Sequence, residues 1–242
     1  MTLRIAMWSG PRNISTAMMR SWENRPDCSV VDEPFYAAYL ADTGLEHPCR
    51  NEILLTKSTD YGKVIEELTS YPVNTPLQYQ KQMTHHIPRG MSMGWCAGMK
   101  HCFLIRDPAE VIASYVQKMP EVDADAIGIC RQAELFAEIT GLTGETPAVI
   151  DSNEVLMDPE AVLGKLCAYL EVPFLPEAML HWPSGRRDSD GIWASHWYRN
   201  VERSTGFGEY TPSRPQLSAA HRQLAAAMQP YYDELSRWRL RP

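Results

Sequence analysis

Several features that would narrow the reading of this chain are missing, and each absence excludes something. Its six cysteines (Cys28, Cys49, Cys96, Cys102, Cys130 and Cys167) form no Cys-x-x-Cys pair and several sit inside apolar runs. That excludes a zinc ribbon or a disulfide frame and reads as reduced core thiols. No apolar run reaches 18 residues, and a strand pattern begins almost at the N-terminus. Neither a membrane span nor a signal peptide is therefore expected, and the expected localisation is cytoplasmic. No glycine-serine or charged linker divides the 242 residues, of which 44% are hydrophobic, so one domain over residues 1–242 is expected. Basic residues are not in excess: the net charge of -7 argues against a general nucleic-acid or acidic-membrane surface. Any anion site must be local, and arginines do gather at Arg4, Arg12, Arg20 and Arg25, then at Arg199, Arg203 and Arg214.

What is present begins with Arg4 to Trp22. Four residues of strand character (Ile5, Ala6, Met7, Trp8) run into the loop Ser9-Gly10-Pro11-Arg12-Asn13, after which Ser15-Thr16 opens a segment with Ala17, Met18 and Trp22 at helical spacing. Ser15 is the expected N-cap. A strand, loop and helix of this kind aims orphan N–H groups and the positive end of the helix dipole at an anion. Arg12 adds a forked, charged donor, and the hydroxyls of Ser15 and Thr16 add two more hydrogen-bonding groups. A Walker A loop needs a second glycine and a lysine, and this loop has neither.

Further along, Cys28 to Asp32 reads as a buried strand ended by Pro34, in parallel crossover with the first. Glu33 and Arg12 then lie near the C-terminal ends of neighbouring strands, where ligands bind in open α/β sheets. Thr43 to Ser58 reads as loop with short helical pieces, Asp60 to Leu68 as a surface helix, and Leu77 to Lys81 as a third strand, followed by His85 and His86. The adjacent histidines lack a third ligand at metal spacing, so no zinc is expected. Lys100 to Ile105 is a strand ending in Arg106-Asp107-Pro108, with Pro108 starting a helix to about Lys118. Ser114 lies eight residues after Arg106, two turns into that helix and on the arginine's side. Two strand-loop-helix units side by side make a divided anion site. Asp125 to Thr140 reads as one long helix, Ala148 to Asp151 as the last strand, Pro159 to Leu170 and Gln216 to Leu235 as helices. The loop Trp197 to Phe207 is too aromatic and basic for an idle linker, while Trp182, Trp193, Trp197 and Tyr198 either line a pocket or pack a loop.

With both units in view, the chain resembles the sulfotransferase family, which uses 3′-phosphoadenosine 5′-phosphosulfate (PAPS) and releases the bisphosphate PAP. The family's first motif places proline, a basic residue and then serine-glycine-threonine-threonine after a strand; Pro11, Arg12, Asn13, Ile14, Ser15 and Thr16 stand there. Ile14 occupies the usual glycine position, where a positive φ is costly. The second motif, arginine, aspartate or asparagine, and proline, with a serine eight residues after the arginine, is matched by Arg106, Asp107, Pro108 and Ser114. Val149 to Pro159 resembles the family's strand and acidic turn, and Arg199 to Gly208, with Arg203, Ser204, Thr205 and Gly206, loosely resembles its C-terminal nucleotide loop.

The resemblance implies a P-loop-type α/β three-layer sandwich, a central parallel sheet flanked by helices. It implies a PAPS-dependent enzyme moving a sulfuryl group to a hydroxyl or amine of a small-molecule acceptor, with no metal, nucleic-acid or membrane partner. Arg12 would stabilise the leaving phosphate. The general base would be Glu33, the first choice from its strand-end position, or a histidine of the Lys81 to His86 stretch, His85 or His86. Two rival readings are a P-loop kinase, with Val30 to Glu33 as a Walker B strand, and a non-catalytic protein that binds 3′-phosphoadenosine nucleotides.

Overall fold

A computed structural model of the chain describes residues 2–212 and 215–241; Arg214 lies outside them. Five strands, β1 (Leu3–Ser9), β2 (Cys28–Asp32), β3 (Leu77–Met83), β4 (Lys100–Ile105) and β5 (Ala148–Asp151), form one sheet in the order β2-β3-β1-β4-β5. Every pairing is parallel, with Ser9 beside Met83 on one side and Leu104 on the other. The helices are α1 (Ser15–Glu23), α2 (Tyr36–Thr43), α3 (Arg50–Thr56), α4 (Tyr61–Ser70), α5 (Pro108–Tyr115), α6 (Ala124–Ile127), α7 (Ile129–Thr143), α8 (Ser152–Met157), α9 (Pro159–Tyr169), α10 (Pro176–Met179), α11 (Ala194–Trp197) and α12 (Ala219–Ser236).

The two-residue period of a strand sends alternate side chains to opposite faces, and here both faces are covered. Ile5 and Met7 of β1 join Met18, Met19, Trp22, Val162 and Leu166 in one apolar cluster; Ala6 and Trp8 join Val111, Leu135, Ile139 and Met228 in the other. Helices thus lie on both sides of a parallel sheet, the three-layer α/β arrangement the sequence implies. β3 is buried along its whole length despite reading Gln78-Tyr79-Gln80-Lys81-Gln82. Its glutamines bond to one another in a row, Gln82 Nε2 donating to Gln80 Oε1 and Gln80 Nε2 to Gln78 Oε1, with Gln82 Oε1 left without a partner.

Several elements depart from the sequence reading. β2 does not neighbour β1: β3 lies between them, so Glu33 is one strand farther from the Arg12 loop than a simple β1-β2 crossover would put it. The stretch read as loop with short helical pieces contains α3, and α2 fills residues before it to which the sequence reading gave no element. The helix expected over Asp125 to Thr140 is broken into α6 and α7 at Gly128, whose φ of 74° is the left-handed region that glycine enters without penalty. A Cβ at Gly10 would lie 2.6 Å from the carbonyl oxygen of Ile127, so this break packs directly onto the loop after β1.

Candidate active site

At the C-terminal edge of the sheet, the loops after β1, β2, β3 and β4 and the segment around α11 enclose a cleft of about 640 Å³, within the range of a small-molecule site. Its floor is the β1–α1 loop. Arg12 and Ile14 both take positive φ, 62° and 53°. Ile14, not Ser15, is the N-cap, because the left-handed turn at Ile14 already places Ser15 in helical geometry. No side chain caps α1 and no acid lies in its first turn. Among the described residues the N–H groups of Ser15, Thr16 and Ala17 donate to no protein acceptor. These orphan donors and the dipole end face the cleft-lining loop and are suited to an anion.

The second unit abuts the first because β4 pairs with β1. Arg12 Nε donates to Ser114 Oγ of α5 at 2.9 Å, and Arg106 Nη1 donates to the Arg12 carbonyl at 2.9 Å. Ser114 is therefore held to Arg12 and not to Arg106, which pairs with Glu110 at 2.9 Å. The two expected anion positions form one continuous surface. Burial, and then the charge of Arg106, holds the Arg12 guanidinium below its ordinary pKa; an anion between the two arginines would relieve that repulsion. The rest of the first arginine group is used elsewhere. Arg20 is buried in a pair with Asp190, Arg25 pairs with Asp27, and Arg4 donates to the Tyr71 carbonyl.

The opposite wall centres on a lysine that sequence reasoning noticed only as the start of the histidine stretch. Lys81 Nζ lies 2.8 Å from Glu33 Oε1, 3.0 Å from Asp32 Oδ1 and 3.1 Å from Thr16 Oγ1, and also donates to the Tyr198 hydroxyl. Tyr198 gives its own proton to Asp32, which also accepts from the backbone N–H of Gly191. Asp32 is thereby consumed by the protein's own network. A lysine in phase with Leu77 and Tyr79, two core-facing positions of β3, was the available signal. Burial pushes the Glu33 carboxyl up, with Lys81 pulling it back and Asp32 pushing it further up. Burial also works against the Lys81 charge, but Asp32 and Glu33 outweigh it and raise the ammonium's pKa, so Lys81 stays protonated.

His85 lines the same cleft, its Nδ1 turned toward Gly128 without a partner. Burial, with a smaller contribution from His47, pushes its imidazole down to about 3. His86 is stacked between Tyr36 and Tyr39, each ring centroid 4.7 Å away, and burial also holds it well below the usual histidine range. Trp197 and Tyr198 line the cleft, whereas Trp182 and Trp193 are core residues. Arg203, Ser204 and Gly206 line it too, although the Ser204 hydroxyl is engaged by Trp182 Nε1 and the Val201 carbonyl. Thr205 does not line the cleft: its carbonyl accepts from the Trp182 N–H. Among the described residues no group of three or more His, Cys, Asp or Glu is placed to hold a metal ion, and no helix is long and apolar enough to cross a membrane.

Comparison with known proteins sets this geometry in context. The chain is 32% and 33% identical over 231 residues to branched-chain-amino-acid aminotransferase-like proteins 2 and 1 of Arabidopsis thaliana. The aligned part is 96% of this chain but 41% of each plant protein, so the chain spans about two fifths of the curated relatives' length. It shares its fold with the sulfotransferase domain from the curacin biosynthetic pathway (TM-score 0.53, 16% identity, covering 100% of this chain and 99% of that one). It does so also with a sulfotransferase from Alicyclobacillus acidocaldarius (TM-score 0.55, 12% identity, 98% and 95% covered). The family model for the sulfotransferase domain matches residues 3–238, which include both arginine loops, the Lys81 network and the cleft they enclose, and the chain belongs to the sulfotransferase family.

Proposed function

We propose that the chain is an enzyme that transfers a sulfuryl group from PAPS to a hydroxyl or amine of a small acceptor. The observation that carries this reading is the contact of Arg12 with Ser114, with Arg106 alongside, at the ends of adjacent strands β1 and β4. A donor with phosphates on both sides of its ribose needs two anion positions in one cleft, and the residues fit that need. The loop of Pro11, Arg12, Asn13, Ile14, Ser15 and Thr16 offers unpaired N–H groups and hydroxyls to the 5′ end. Arg106 Nη2 and Ser114 face the 3′ phosphate, and Arg203, Ser204 and Gly206 close the nucleotide side. The donor supplies an activated sulfuryl group whose leaving phosphate gains negative charge, and the chain's task is to position it and stabilise that charge.

Glu33 is the proposed base. Its Oε1 is occupied by Lys81, which leaves Oε2 to receive the acceptor's proton, and its raised pKa brings it nearer the working pH than an ordinary carboxylate. His85 is the weaker candidate, since proton uptake would charge an imidazole held near 3 and bury an Nδ1–H with no acceptor. Calorimetry with PAP and adenosine 5′-phosphate tests the reading. PAP should bind at least ~10-fold more tightly, as a charge-assisted hydrogen bond of about 1.5 to 3 kcal/mol implies, and Arg106→Ala should erase most of that preference. Equal affinities in the unmutated protein would remove both the sulfuryl-transfer reading and that of a passive PAP-binding protein.

A further inference from the structure

The buried ammonium of Lys81 touches both halves of the cleft, Glu33 at the end of β2 and Thr16 in the first turn of α1, just after the anion loop. An ammonium has three protons and no lone pair, so each contact is a donation from Lys81. Thr16 Oγ1, accepting one of them, must direct its own proton elsewhere, and the anion-binding loop is what it faces. Glu33 Oε1 accepts another, which holds the carboxylate plane and leaves Oε2 for the acceptor. The third is shared between Asp32 Oδ1 and the Tyr198 hydroxyl, and because the second oxygen of Asp32 is tied to Gly191 and Tyr198, the lysine is anchored to a fixed wall.

The charges near this point can be summed. Asp32 and Glu33 face one ammonium, a net charge of -1, while Tyr36 and Tyr198 remain neutral because burial raises them, and His47, His85 and His86 are pushed toward neutrality. In the transfer step the acceptor's O–H bond breaks and its proton goes to Glu33 Oε2. The acceptor oxygen bonds to sulfur, and the S–O bond to the donor's phosphate breaks with its electron pair left on the phosphate. At that moment the Asp32-Lys81-Glu33 group passes from -1 to neutral beside Thr16, while negative charge grows on the other side of the same threonine. The electrostatics of the two events favour each other.

We propose that Lys81 is a positioning residue that couples proton acceptance to donor stabilisation: bonded to Glu33 on one side and Thr16 on the other, its ammonium converts loss of charge at Glu33 into added positive potential at the phosphate loop. The inference rests on Glu33 as the base and the β1–α1 loop as the donor site.

The test follows Glu33 directly, by carbon NMR of labelled glutamate carboxyls in the unliganded protein across pH, alongside the acid limb of kcat/KM. Lys81→Met should raise the Glu33 midpoint by about 1 to 3 units, and Asp32→Asn, which removes a like charge and keeps the cation, should lower it, with the kinetic limb moving in the same two directions. Should Lys81→Met fail to fold, with two carboxylates left buried and unpaired, Asp32→Asn carries the sign test alone. Thr16→Val should leave the Glu33 midpoint in place while weakening PAP binding about tenfold. PAP binding by the unmutated protein together with a Glu33 midpoint unmoved in Lys81→Met and Asp32→Asn overturns the coupling alone. Failure of the unmutated protein to bind PAP overturns the sulfuryl-transfer reading and the coupling with it.

Discussion

Ile14 offers a sharp test of the donor loop because its backbone and its side chain pull in opposite directions. Its φ of 53° and ψ of 17° are left-handed, a region that costs an L-residue roughly 1–2 kcal/mol and that β-branched residues seldom occupy. Its side chain is partly buried against the core cluster on the α1 face of the sheet. Ile14→Gly removes the strain, about 1–2 kcal/mol, but loses about 0.5–1 kcal/mol to unfolded-state freedom and about 1 kcal/mol of half-buried side chain. The net effect is near zero. Ile14→Ala loses the same side chain and keeps the left-handed cost, so it should fall below Ile14→Gly by about 0.5–1 kcal/mol. In a right-handed helical position alanine is instead better than glycine by about 1 kcal/mol, so the sign of the difference reports the conformation. Thermal or urea denaturation reads it, with about 2–4 °C of Tm per kcal/mol for a chain of this size. PAP affinity measured on the same samples should be nearly unchanged in Ile14→Gly, because the loop's N–H groups keep their directions. An alanine variant as stable as the glycine variant, or more so, would refute the argument and mean that the loop does not hold Ile14 in the left-handed region.

The remaining predictions concern the base, the loop's packing and acid stability. Glu33→Gln should lower turnover by about a hundredfold or more with PAP affinity nearly intact; full activity would move the base to the histidines. Ser114→Ala should weaken PAP binding, since it removes the hydroxyl assigned to the 3′ phosphate, and calorimetry against adenosine 5′-phosphate should show the loss concentrated in the bisphosphate. Gly10→Ala should destabilise by about 1–3 kcal/mol in denaturant melts, because its Cβ would meet the Ile127 carbonyl at 2.6 Å. His101 is held neutral, Nδ1 accepting from Trp8 Nε1 and Nε2 meeting the Cys96 carbonyl, and burial pushes it down to about 4. The unfolded chain takes up that proton near pH ~6.5 and the folded one does not, so this contribution is complete above ~6.5 and is lost as pH falls toward 4, by up to about 1.4 kcal/mol per unit. His101→Gln should flatten the stability profile over that window by this amount.

Local chemistry was enough to place the two arginine loops. A strand ending in Gly10-Pro11-Arg12 and another ending in Arg106-Asp107-Pro108 announce themselves through period, proline and helix-start signals, all of which act within a few residues. Cys28–Asp32, Lys100–Ile105 and Ala148–Asp151 coincide with strands of the structure for the same reason: short apolar runs bounded by breakers. Strand order was not local. Nothing in residues 15–32 says that β3, more than forty positions later, inserts between β1 and β2, and so nothing says that the space between Arg12 and Glu33 is bridged by a third strand. Leu77 to Lys81 reads as a strand, but its polar residues do not show that both of its faces are buried; only the tertiary fold supplies the hydrogen bonds between the glutamines and the two carboxylates that keep Lys81 charged there. The helix break at Gly128 and the left-handed Ile14 follow from the same limit. Gly128 permits the break at no backbone cost but does not announce it, and Ile14 is a locally unfavourable choice enforced by contacts elsewhere in the chain, whose cost the sequence shows without showing what offsets it.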